Sequence, residues 1–186
     1  MSQNQKKPST YADLEALPPE VVGEIIDGDL IVSPRPALLH AMVATQLTAD
    51  IVGPFQRGRG GPGGWIILSE PELHFGEHVL VPDLAGWRRE RMPELPDLPA
   101  LELAPDWVCE VLSPSTVKVD RARKMRHYAR AKVAHVWLVD PAATTLEIYR
   151  LDGEGWRLVE TYAGEVTIRA EPFDAVELEL GGLWSR

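Results

Sequence analysis

The segment from Pro105 to Pro141, PDWVCEVLSPSTVKVDRARKMRHYARAKVAHVWLVDP, reads as strand, loop, helix, strand. Its first apolar run, Trp107-Val108-Cys109-Glu110-Val111-Leu112, has the unbroken hydrophobicity of a strand covered on both faces, yet it carries one acid, Glu110. A carboxylate in such a place has to be paired, protonated or bound to a cation, because an isolated buried charge is too costly to keep. A second run, Val79-Leu80-Val81-Pro82-Asp83-Leu84-Ala85, repeats the pattern with Asp83. Two carboxylates on two core strands, with Lys124 on the helix between the strands of the opening segment, are the basis for expecting a metal site.

That helix offers two faces. Asp120, Lys124, Tyr128 and Ala131 share one of them, and Val119, Ala122, Met125, Ala129 and Val133 form a competing apolar stripe. On the second reading Lys124 turns to solvent, and Asp120 with Lys124 is a surface i,i+4 ion pair worth a few tenths of a kcal/mol. Periodicity alone leaves both readings open.

Working outward, Thr10 is placed to cap a short helix over residues 11–17 that closes at Pro18-Pro19. The runs 21–26 and 29–32, joined by Asp27-Gly28, predict a hairpin. Leu39, Met42, Val43, Gln46, Leu47 and Ile51 make a helical stripe between residues 37 and 55, with His40 beside it as a packed or surface histidine. Residues 57–64, RGRGGPGG, form a loop that matches no phosphate-binding fingerprint, although its two arginines suit a phosphate backbone. A three-strand meander is expected over 65–87, with Pro82 distorting the last strand just before Asp83, followed by a proline-rich surface loop over 88–103. Hairpins over 145–162 and strands near 166–168 and 176–180 complete an α+β, or mixed α/β, sheet protein.

At 186 residues and 45% hydrophobic, the chain suits a single core: a tail over 1–9 and one domain over 10–186. It contains no apolar run near the roughly 18 residues of a membrane helix, and its polar start does not resemble a signal peptide. The single cysteine, Cys109, forbids an intrachain disulfide, fits a cytoplasmic setting and reads as a buried, inert thiol. The net charge of −9 argues against a general nucleic-acid coating role. It is compatible with a nuclease, because acids that hold a metal add negative charge.

The acids at strand ends are Glu70, Asp83 and Glu110, with Glu24 further off on the first hairpin. Magnesium takes oxygen ligands, often one or two carboxylates with waters, so Asp83 and Glu110 suffice and Glu70 supplies a third ligand or positions a water. The competing account makes Asp83 and Glu110 structural acids paired with arginines. Cysteine–histidine zinc spacing is absent, and Ser113 and Ser115 lack a nucleophile elbow.

GEIIDGDLIVSP, VPDLAG, EVLSPST and the Asp120–Lys124–Tyr128 run leading into VAHVWLVDP together resemble the Uma2 family of restriction-endonuclease-like proteins, over roughly residues 10 to 180. The resemblance implies a PD-(D/E)-x-K nuclease fold: a central mixed sheet flanked by helices, with phosphodiester hydrolysis dependent on Mg2+ (or Mn2+) at the sheet edge. It makes Asp83 the acid of the PD element and Glu110 the acid of the second element. Leu112 stands where the parent pattern has its lysine, and Lys124 on the helix is the substitute, which favours its inward-facing reading. Lys132 stands where the family more often has glycine. Catalysis would then rest on Asp83, Glu110, Lys124 and Glu70, with metal on Asp83, Glu110 and Glu70, and with DNA as partner and a homodimer as the assembly. The alternative is a nuclease-like domain that binds without cutting, a reading to which Leu112 and the acidic charge lend weight.

Overall fold

The computed structural model describes residues 7–185, so residues 1–6 of the expected tail lie outside the described residues. The backbone N–H of Ser9 donates to the Gly28 carbonyl, tying the start of the described chain to the first hairpin. Helix α1 (Tyr11–Glu15) leads into strands β1 (Val21–Ile26) and β2 (Asp29–Pro34). The turn between them has Asp27 and Gly28 both at positive φ, the geometry that matches strand twist in a two-residue hairpin. Helix α2 (Leu38–Ile51) continues through a π-helical turn (Val52–Gln56). There follow β3 (Trp65–Ser69), β4 (Leu73–Phe75), β5 (His78–Leu80), β6 (Leu84–Arg88) and β7 (Trp107–Val111). The helix after β7 is built from α3 (Val117–Val119), a π-helical turn (Asp120–Lys124) and α4 (Met125–Arg130). Strands β8 (His135–Asp140), β9 (Thr145–Asp152), β10 (Gly155–Ala163), β11 (Thr167–Ile168) and β12 (Leu178–Glu179) precede a last turn of helix, α5 (Gly181–Trp184).

The main sheet runs β10-β9-β8-β7-β6-β3 and is mixed, because β7 and β8 are parallel while every other neighbouring pair is antiparallel. The crossover that parallel pairing demands is the helix carrying Lys124. All five β7 residues are buried, as the continuous apolar run predicts for a strand covered on both sides. Alternation sorts them: Trp107, Cys109 and Val111 face α2 and the C-terminal segment, while Val108 packs with Met125 and Tyr128 on the opposite side. Phe173 is the hub of the first face, with ring centroids 4.7 to 5.6 Å from Phe55, Trp65, Trp107 and Trp137. Gly86 sits beneath this cluster, where a Cβ would lie 3.2 Å from both Trp65 and Trp107.

Two expectations need correction, and the open choice of helix face is resolved. The predicted meander is divided between two sheets. β5 and β4 join the hairpin in a second sheet ordered β2-β1-β5-β4, and β6 and β3 belong to the main sheet. Pro82, with no N–H for a ladder, marks the crossing between them and leaves Asp83 at the junction. The proline-rich excursion is only partly a surface loop. Met92 and Leu101 are buried, Leu101 exchanges backbone hydrogen bonds with Glu72 and His74, and the Trp87 indole donates to the Leu103 carbonyl. The two competing helix faces are both largely inward. The π-helical turn widens the coil at Asp120–Lys124, so Asp120, Lys124 and Tyr128 are buried together with Met125, Ala129 and Val133. The C-terminal aromatics are engaged within the chain, with Trp156 donating to the Met125 carbonyl and Trp184 to that of Gly164.

Lys132 ends the helix at φ 63°, a left-handed conformation that favours glycine. Lys132→Gly is therefore expected to raise stability by about 1 kcal/mol, read as a higher urea midpoint with unchanged slope. Phe173→Ala is expected to cost about 3–5 kcal/mol by the same measurement, because it empties the centre of the aromatic cluster.

Candidate active site

Glu110 leaves β7 on the helix side and is 3% exposed. Tyr128 Oη donates to its Oε1 at 2.5 Å, and Lys124 Nζ lies 3.0 Å from the same oxygen. Its Oε2 takes no hydrogen bond among the described residues. Lys124 is equally buried and is also 3.0 Å from Glu24 Oε1, 3.7 Å from Asp120 Oδ1 and 3.2 Å from the Val81 carbonyl. Glu24 in turn accepts the Val81 N–H at 2.7 Å, so the lysine and the β5 end are stitched through one carboxylate. Asp83 accepts the Val111 N–H at 2.6 Å with Oδ2 and contacts His40 Nε2 at 2.7 Å with Oδ1.

Glu24, Glu70, Asp83, Glu110, Asp120 and Lys124, with His40, line one cavity of about 330 Å3. Burial raises the Glu110 carboxyl well above its ordinary range, and Lys124 does not reverse this because Asp120, Asp83 and Glu24 oppose it. Burial likewise lifts Asp120 against the pull of Lys124. For Lys124 the balance is the reverse: burial disfavours its charge, but Glu110, Glu24 and Asp120 outweigh it and hold the ammonium protonated. Burial also disfavours the His40 cation, yet the hydrogen bond and charge of Asp83 leave its pKa raised. The cavity is thus rich in carboxylate and short of positive charge.

Glu70 has a different position. Its backbone N–H donates to the Asp83 carbonyl at 3.0 Å, its φ is 48°, and its exposed side chain reaches the cavity rim without a hydrogen-bond partner among the described residues. A left-handed non-glycine residue at a cavity rim is strained backbone of the kind that clusters at functional sites. Asp83, Glu110 and Glu70 do not bring three ligand atoms within 4.8 Å of one another. Among the described residues only Asp27, His78 and His127 do so, and none of these lines the acid cavity. In that second group Asp27 Oδ2 already faces the guanidiniums of Arg123 and Arg126, and Asp27 N–H donates to His78 Nδ1. Its charges are met by the protein, and it fastens the β1–β2 turn to α4.

Sequence reasoning brought Asp83, Glu110 and Lys124 to one place, set Asp120 on the lysine's own helix face, and missed two partners. Glu24 is at the lysine instead of further off. Its signal was the same as that of Glu110, an acid inside an apolar strand run, VVGEII. His40 continues the buried Val43-Leu47-Ile51 stripe by one helical step and meets Asp83. Asp120 and Lys124 are buried, not a surface pair, through the π-helical turn, which periodicity does not announce. No arginine pairs with Asp83 or Glu110 among the described residues. Leu112 is buried in the apolar cluster with Met125 and Tyr128, so no ammonium is available from that position.

A family model described as "Putative restriction endonuclease" (Uma2) matches residues 8–181. Among solved structures, the chain is similar to a "putative nuclease belonging to DUF820" from Anabaena variabilis, with 25% identity and a TM-score of 0.74, covering 95% of this chain and 98% of that one. No curated protein matches the chain.

Lys124→Met removes the one ammonium among Glu24, Glu110 and Asp120, and is expected to destabilise the protein by about 3–5 kcal/mol near neutral pH. Because the folded state holds the Glu110 and Asp120 carboxyls raised, it binds more protons than the unfolded chain as the pH falls. Losing Lys124 removes the charge that opposes burial, so these carboxyls rise further in the variant, and the loss is expected to shrink as the pH falls from neutrality towards the ordinary carboxylate range in urea titrations.

Proposed function

The chain belongs to the Uma2 family of restriction-endonuclease-like proteins, and from that premise we propose that it is a metal-dependent endonuclease hydrolysing phosphodiester bonds of nucleic acid, with DNA as its substrate. The observation that carries the reading is the meeting of Asp83, Glu110 and Lys124 in one cavity, from a strand junction, a core strand and a helix. Structural ion pairing alone would not require three carboxylates around one lysine.

The donor set fits a hard divalent cation, Mg2+ or Mn2+. It is all oxygen, it carries surplus negative charge, and Glu110 Oε2 is free of hydrogen bonds on a cavity that Asp83 also lines. Asp83 and Glu110 would hold the ion, with Glu70 on the rim completing the shell directly or through water. When bound, such an ion polarises a phosphate oxygen and lowers the pKa of a coordinated water. The chain's own groups do the rest. Tyr128 and Lys124 fix one oxygen of Glu110, leaving the other to face the cavity. The Val111 N–H and His40 fix Asp83. Lys124, held protonated by its carboxylate neighbours, stabilises negative charge that develops on the phosphate. It occupies the role that Leu112 vacates on the strand.

Asp83→Asn and Glu110→Gln are each expected to abolish Mg2+- or Mn2+-dependent cleavage of plasmid DNA while leaving the circular-dichroism spectrum intact. Calorimetric titration of Mg2+ should lose its binding heat in Glu110→Gln. Cleavage retained in both variants would remove this cavity from consideration. DNA binding by the wild type with no cleavage in either metal would favour the non-cutting reading that Leu112 invites.

A further inference from the structure

The glycine-rich segment 57–64 is not a slack connection. Its backbone is laced to the end of α2, with Arg57 N–H donating to the Val52 carbonyl, Arg59 N–H to Gly53 and Gly63 N–H to Pro54, at 2.9 to 3.1 Å. Gly61 packs so closely that a Cβ there would lie 2.5 Å from the Pro54 side chain. The folded loop presents Arg57 and Arg59, whose guanidiniums are exposed and have no hydrogen-bond or ion-pair partner among the described residues. Both line a cavity of about 690 Å3 along α2, together with Ala44, Thr48, Glu70 and Asp83. This cavity shares Pro36, His40, Glu70 and Asp83 with the acid cavity, so the two form one continuous groove.

We propose that this groove seats the sugar–phosphate backbone of one strand of duplex DNA, with Arg57 and Arg59 on phosphates beside the scissile one and no reading of base sequence. The proposal rests on the nuclease reading of the acid cavity. In a chain of net charge −9, two unpaired cations on a groove that ends at carboxylates are placed to offset the repulsion a polyanion would meet there. The α2 wall is made of small side chains, and Thr48 Oγ1 is spent on the Ala44 carbonyl. The lining contains no Phe, Tyr or Trp, the usual stacking platforms for unpaired bases, and no Asn or Gln to read adenine edges. A duplex, whose bases stack on each other and whose outer face is phosphate, suits such a wall.

The test is fluorescence anisotropy of a fluorescein-labelled mixed-sequence DNA duplex over a range of KCl concentrations, with Ca2+ present to neutralise the acid cavity. In Arg57→Ala/Arg59→Ala the slope of log Kd against log salt should fall by about 1.8 relative to wild type, the loss of two phosphate contacts. Arg57→Lys/Arg59→Lys should keep the slope. Duplexes of unrelated sequence should bind wild type far more evenly than the roughly 10³–10⁷-fold spread of sequence-specific proteins. An unchanged slope in the alanine variant, or tighter binding of the single strand than of the duplex, overturns the groove assignment. Wild-type cleavage is scored separately. A lowered slope without any cleavage would uphold the groove and sink the nuclease reading, and cleavage with an unchanged slope would do the reverse.

Discussion

One buried ammonium joins three parts of the molecule. Lys124 comes from the crossover helix, Glu110 from the centre of the main sheet, and Glu24 with the Val81 carbonyl from the second sheet. Each 3.0 Å contact is worth several kcal/mol of attraction at an effective dielectric near 20. Removing each ion from water costs a comparable amount. The net contribution to stability is therefore small, while the cost of breaking the set is large. Such a cluster specifies which elements meet, more than how firmly the whole is held. A fully apolar core would pack these elements at least as well, which is a reason to read the cluster as chemistry.

The backbone around Asp83 serves the same end. Had residues 78–87 formed one strand, Asp83 would lie in a ladder with its side chain bound to one face of one sheet. The break at Pro82 passes the chain between sheets and lets Asp83 reach the Val111 N–H, one residue beyond Glu110. The left-handed Glu70 is locked to the same place through its N–H on the Asp83 carbonyl. Two irregularities of backbone, both next to acids, thus frame one cavity.

Much of this was legible in the sequence because it rests on local pattern. The apolar run with a single acid marked both β7 and the need for a partner at Glu110. Asp27-Gly28 marked the hairpin, and the stripe from Leu39 to Ile51 marked α2. What stayed hidden depends on pairing between distant segments. Nothing local says that β5 leaves the main sheet for the first hairpin, and that choice brings Glu24 to Lys124. The inward turn of Lys124 was undecided for a different reason. Two stripes competed on a regular helix, and the actual helix is irregular, with a π-helical turn that admits both.

That irregularity bears on how Lys124 is held. On β7 a lysine at position 112 would sit two residues from Glu110, on the same side of the strand, and its reach would be set by the strand alone. The chain has an apolar Leu112 there, which packs in the cluster of Met125 and Tyr128 and so supports the helix that carries Lys124. The position of Lys124 then depends on the helix, on Asp120 one turn away, and on Glu24 from the other sheet. The Lys124 ammonium is held jointly by two sheets and a helix. Its placement beside Glu110 is therefore a property of the assembled fold, which is why no short motif in the sequence contains it.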